Sequence, residues 1–164
     1  MQSASVPVFE RMLGSLLQWL DKAEAHAQAR SWAPELWLGQ RLAPDMLPLV
    51  NQVQIACDAA KSCVSRLAGQ DVPSWPDTEA TLDELRARVR RTLEHVRTVS
   101  ASQINGSEAR EIVLPTRSGE PLRMSGEDFL KHRVLPNFYF HLSTTYALLR
   151  QGGVELGKSD YLGR

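Results

Sequence analysis

Cysteine is scarce in this sequence, with two among 164 residues, Cys57 and Cys63. They read as part of one helix, where six steps separate them by about 9 Å along the axis, too far for a disulfide. Buried, reduced thiols in a cytoplasmic protein are the expectation. Neither sign of charge is in excess, since 19 Lys and Arg offset 19 Asp and Glu. That balance supplies no general attraction for nucleic acid or an anionic membrane, so neither is expected as a partner. No stretch approaches the roughly eighteen apolar residues of a spanning helix. The opening MQSASVPVFERM has no basic start followed by an apolar run and cleavage site, so a standard export signal is not expected. HExxH, paired CxxC motifs, an acidic calcium loop and a Gly-rich phosphate loop are all missing. A nucleophilic role for Cys57 has no neighbouring signal to lower its pKa.

What the chain does hold is helical periodicity. Over 5–30, Phe9, Leu13, Leu16, Leu17 and Leu20 form one apolar stripe, with Ser5 as the expected cap and Pro7 in the first turn. Trp32, Pro34 and Trp37 then mark a folded connector. A second helix is predicted by Met46, Val50, Val53, Cys57, Ala60, Val64 and Leu67, which alternate steps of four and three. Asp45 is its expected cap and Gly69 its terminator. A third, over 78–98, carries Leu82, Leu85, Val89, Leu93 and Val96, with Thr81 and Glu84 at capping-box spacing. Its arginines, Arg86, Arg88, Arg90, Arg91 and Arg97, read as a solvated face balanced by nearby acids.

The helical period breaks over 100–126. A β-hairpin is expected there, with strands over 110–115 and 122–124 joined by a turn at 116–120. Ser125, followed by Glu127 and Asp128, reads as a helix start, and Pro136 predicts a kink or break. A fourth helix over 136–150 follows, with Leu135, Phe138, Leu142, Thr145 and Leu149 on its inner stripe and Gly152 or Gly153 at its end. The tail over 154–164 is expected to pack across an end of the bundle. The fold class is therefore all-α: one domain over 1–164, a four-helix bundle with a small hairpin between helices three and four.

Among the four histidines, His26, His95 and His132 read as surface or boundary residues. His141 shares an inner side with Phe138 and Thr145, so it is either a satisfied core histidine or the polar head of a pocket and a candidate catalytic acid or base. Gln52 and Gln54 lie one step off the seam of helix two, placed to face water or to reach inward beside His141. Asp58 follows Gln54 by four residues and can pair with Lys61. Gln52, Gln54, Asp58 and Thr145 are thus pocket candidates around His141. Trp19, Trp32 and Trp37 are open to a surface, a lid or the core.

Several blocks, SVPVF, LDKAEAHA, RLAPDMLPLVNQVQIACDAAK, VPSWPDTEATLDEL, LPNFYFHLSTTYALLR and GVELGKSDYLG, cover nearly the whole chain in order. In them the sequence resembles the DUF1993 family, placed with the DinB/YfiT-like helical bundles. The resemblance implies a four-helix bundle, often homodimeric. It also implies kinship with divalent-metal enzymes, including thiol transferases, that use one histidine of helix two and an HxxxH pair of helix four. In that pattern His141 matches the first histidine of the pair, Thr145 stands at the second, and the helix-two region around Gln52 offers amides. The expectation is a homodimeric cytoplasmic protein that binds a small molecule or is structural, without the three-histidine centre. A metal-assisted thiol transferase or hydrolase is the alternative. No cofactor is specified.

Overall fold

The computed structural model describes residues 1–116 and 119–164. Four long helices, α1 (Val6–Ala29), α2 (Leu49–Leu67), α3 (Leu82–Thr98) and α4 (Leu135–Gln151), make the body of the described structure. Around the bundle they run α1, α3, α2, α4. Each of α1 and α2 packs against both α3 and α4, while α1 and α2 touch each other little across the diagonal. The apolar stripes read from sequence meet at the centre. Phe9, Leu13, Leu16 and Leu20 of α1 are fully buried with Val53, Cys57, Ala60 and Val64 of α2. Phe138 of α4 sets its ring edge-on to Phe9, with centroids 5.0 Å apart.

Local chemistry shifts several helix ends. Ser5 does not cap α1 through its side chain. Its hydroxyl is buried and donates to the carbonyls of Met1 (3.1 Å) and Gln2 (3.2 Å), closing the short turn that precedes the helix. The second helix begins at Leu49 rather than beside Asp45. Pro48 biases Leu47 away from α geometry, so Met46 stays outside the helix. The third begins at Leu82, because the Thr81–Glu84 capping box closes both ways: Glu84 N–H donates to Thr81 Oγ1 (3.1 Å), and Thr81 N–H donates to Glu84 Oε2 (3.1 Å).

Between α3 and α4, strands β1 (Glu111–Leu114) and β2 (Leu122–Ser125) pair antiparallel, Glu111 opposite Ser125 and Leu114 opposite Leu122. Of the turn expected at 116–120, Arg117 and Ser118 lie outside the described residues. Ser125 Oγ accepts from Asp128 N–H (3.1 Å) and starts the next helical segment as expected. The break anticipated at Pro136 takes the form of a π-helical turn, Phe129–Val134, running directly into α4. Its last bond joins Leu135 N–H to the Leu130 carbonyl, five residues back. The wider turn absorbs the register that Pro136, lacking an N–H and carrying a ring, would otherwise interrupt.

The tail returns over the bundle through α5 (Lys158–Leu162). Tyr161 stacks on Trp19 at 5.4 Å, and Trp19 Nε1 donates to the Asp160 carbonyl (3.1 Å). Trp19 and Trp37 are core residues, whereas Trp32 remains 46% exposed. Among the described residues, no helix is long and apolar enough to cross a membrane.

Candidate functional site

The polar residues singled out in the sequence separate into two networks. In the first, His141 of α4 reaches across to α2, where its Nδ1 lies 2.7 Å from Gln52 Oε1. Gln52 Nε2 donates to the Leu47 carbonyl (2.9 Å), which fixes the amide so that its oxygen faces the imidazole. His141 therefore donates from Nδ1, and its Nε2 carries the free lone pair. At 8% exposure, burial pushes the His141 pKa below the usual histidine range. Thr145, one turn on, is fully buried and donates its hydroxyl to the His141 carbonyl (2.9 Å).

The second network turns towards α3 and the connector before it. Gln54 Nε2 donates to Glu79 Oε2 (2.7 Å), and Asn51 donates to Gln54 Oε1 (2.8 Å). Glu79 also binds Arg88 (3.1 Å). Burial pulls the Glu79 pKa up, but the hydrogen bonds from Gln54 and Arg88 outweigh it and hold the carboxyl below the usual range. Asp58 Oδ1 receives Lys61 Nζ (2.6 Å) and Arg88 (3.1 Å), and both cations are buried at their polar ends. Gln54 and Asp58 are thus joined through Glu79 and Arg88, and neither meets His141.

The arginines of α3 are not one solvated face. Arg86 and Arg88 are buried, because α1 and the connector present acids to them. Arg86 meets Asp21 (2.8 Å), Glu24 (2.6 Å) and Asp83 (2.8 Å). Lys61 Nζ (4.4 Å) and the Arg91 guanidinium (4.3 Å) both lie over the Trp75 ring. The remaining histidines take different settings. His95 Nε2 pairs with Ser65 Oγ (2.8 Å), His26 contacts the rings of both Trp32 and Trp37 with its Nε2 buried, and His132 is exposed beside Asp128.

A groove of about 620 Å³ opens beside these networks. One wall is α2, whose Ile55, Asp58, Ala59 and Ser62 share a face at helical spacing. The other is built by the π-helical turn and the start of α4, which contribute Phe129, His132, Arg133, Asn137 and Phe140. Of the five candidates, Asp58 alone lines it. Phe140 stands 55% exposed in the groove with its ring edge-on to the His141 ring, centroids 5.2 Å apart. Arg133, Asn137 and Phe140 were missed in the sequence. The break at Pro136 and the four-residue spacing of Arg133 and Asn137 were the available signals.

The donor chemistry does not fit the metal centre that the family resemblance implies. At the three corresponding positions stand one imidazole, an amide whose oxygen faces that imidazole, and a hydroxyl bonded back to its own helix. Among the described residues, no group of three or more His, Cys, Asp or Glu is placed to hold a metal ion.

Known proteins share this fold. The model of a family described as a domain of unknown function, DUF1993, matches residues 1–162. A crystal structure of a DinB family member protein from Shewanella denitrificans is similar over 99% of this chain and 92% of that one, at 39% identity and a TM-score of 0.91. No curated protein matches the chain.

Proposed function

The chain belongs to the DUF1993 family, and from that premise we propose that it is a small-molecule-binding helical bundle whose ligand occupies the groove between α2, the π-helical turn and α4. The observation that carries this reading is the groove itself. Its volume of about 620 Å³ falls in the range of small-ligand sites, roughly 300–1,000 Å³. Its lining sets the apolar Ile55, Ala59, Phe129 and Phe140 beside Asp58, Ser62, His132, Arg133 and Asn137, polar groups that can orient a ligand lying on apolar walls.

His141 serves this site as a positioning residue. Its bond to Gln52 ties α4 to α2, and its ring supports Phe140 from behind. The small side chain of Ala59 leaves room on the α2 wall. Ala59→Trp is expected to fill the groove while leaving the His141–Gln52 bond in place. Ligand-observed NMR with a fragment set is expected to find binders of the natural chain that the Ala59→Trp protein no longer takes up. A fragment set that yields no binder, or binders unaffected by the substitution, overturns the reading.

We also propose that the chain works as one domain over 1–164, as a homodimer in the cytoplasm. The exposed Trp32, Leu36, Leu42 and Leu47 around the connector support pairing of two copies. Light scattering is expected to give twice 18.3 kDa. The free, buried thiols suit a reducing compartment.

A further inference from the structure

The groove's hydrogen-bonding inventory is lopsided. Arg133 lines it, is exposed, and has no hydrogen-bond or ion-pair partner among the described residues. Asn137 lies one turn further along the same wall and its amide is likewise uncommitted. Across the groove, Ser62 Oγ accepts from Arg66 Nε (3.1 Å), which leaves its own O–H free to donate. Three donors therefore line the space without a partner among the described residues.

On the acceptor side stand the Asn137 amide oxygen and Asp58, whose Oδ1 is engaged. Asp58 is the one carboxylate in the lining, and a bare carboxylate there would repel an anion. Instead, Lys61 (2.6 Å) and Arg88 (3.1 Å) both lie on its Oδ1 and offset its charge. The fifth polar group, His132, sits towards Asp128 at 3.8 Å. Among the described residues, Arg133 is thus the uncompensated charge of the groove. A guanidinium presents paired donors in a fixed plane that matches a carboxylate. The rest of the lining is apolar, with Ile55 and Ala59 facing Phe129 and Phe140.

Resting on the groove reading above, we infer that the ligand class is a small organic acid, its carboxylate held by Arg133 with Asn137 and its apolar body laid against Phe140 and Ile55. A bare inorganic anion would engage Arg133 but leave the apolar walls unused. A neutral apolar molecule would leave the guanidinium unused.

The test compares 4-phenylbutyrate, its neutral amide 4-phenylbutyramide, and inorganic phosphate, titrated into the full chain and followed by amide chemical shifts of groove residues. The natural protein is expected to bind the carboxylate at least about tenfold more tightly than the amide, and phosphate more weakly than either. Arg133→Gln lies on the surface and should melt as the natural chain does. It is expected to bring the carboxylate down to the affinity of the amide while leaving the amide unchanged. Arg133→Lys should restore part of the loss. If the amide binds as tightly as the carboxylate, or Arg133→Gln changes neither, the organic-acid assignment is wrong although the groove stands. Phosphate binding as tight as the carboxylate also overturns it, in favour of an inorganic anion. If none of the three shifts groove resonances, the groove reading itself fails and takes the assignment with it.

Discussion

His141 and Gln52 form a cross-bundle strut: Nδ1 of one meets Oε1 of the other at 2.7 Å, and the far end of the amide is anchored on the Leu47 carbonyl at 2.9 Å. Both side chains are buried, so removing one leaves polar groups without partners. Gln52→Leu is expected to cost about 1–3 kcal/mol, and His141→Leu a similar amount. The double substitution should cost clearly less than the sum, because two apolar side chains leave fewer orphaned groups. Urea unfolding of the four proteins measures this, and strict additivity would show that the strut contributes nothing.

The same burial gives acid sensitivity. His141 is held below its ordinary value of 6.5 by burial, and His95 is lowered by burial and then by Lys61. As pH falls below 6.5, the unfolded chain takes up these protons before the folded one does. Stability is therefore expected to fall as pH drops from about 6.5 towards the folded-state values. His141 can add at most about 1.4 kcal/mol per pH unit to that slope. Unfolding midpoints between pH 7.5 and 5.5 should show the decline, and a shallower one in His141→Gln. Equal slopes would mean that His141 titrates alike in both states.

Periodicity made the bundle legible, since Val53, Cys57, Ala60 and Val64 are buried where their spacing put them. It carries no information on which helix faces which, so the diagonal placement of α1 and α2 was out of reach. The pairing of His141 with Gln52 was readable as one of two options, because both sit beside apolar stripes. The groove was not. It depends on the π-helical turn, which the sequence announces only as a proline that must interrupt something. The burial of Arg86 and Arg88 was hidden for a related reason. Their acids, Asp21, Glu24, Asp77 and Glu79, come from other segments and meet them only in three dimensions.

The donor set around His141 sets an expectation for metal. A site binding zinc with a dissociation constant of about 1 µM would raise stability by about 2.7 kcal/mol at 100 µM free ion. The single imidazole, with its Nδ1 engaged by Gln52, should give no such increase. Thermal unfolding with zinc and with a chelator is expected to coincide. A stoichiometric ion retained by the purified protein and lost in His141→Ala would contradict this.

Cys57 and Cys63 are both buried and free. Burial pushes the Cys57 thiol up to about 12 and raises Cys63 as well. Since the thiolate is the reactive species, neither should react with a disulfide reagent at pH 8 in the folded protein. Both should react promptly in denaturant. Rapid labelling of the folded chain would mean that α2 opens far more readily than its packing suggests.

Arg88 holds the connector between α2 and α3 in place. Its guanidinium meets Asp58 (3.1 Å), Asp77 (2.8 Å) and Glu79 (3.1 Å), and donates to the Pro76 carbonyl (3.1 Å). Arg88→Met would leave these acceptors facing one another without their common cation. Removing one partner of a buried pair costs about 3–5 kcal/mol. Asp58 and Asp77 keep access to water, so the lower end, about 3 kcal/mol, is expected here. The damage should be local before it is global, with the connector over 70–81 becoming sensitive to limited proteolysis while the helical circular dichroism persists. Arg88→Lys keeps the charge but loses the planar fork, and should recover only part of the stability. If Arg88→Met unfolds at the natural urea midpoint with its connector still protected, the anchor lies elsewhere, and the packing of Lys61 and Arg91 on the Trp75 ring is the contact to remove next.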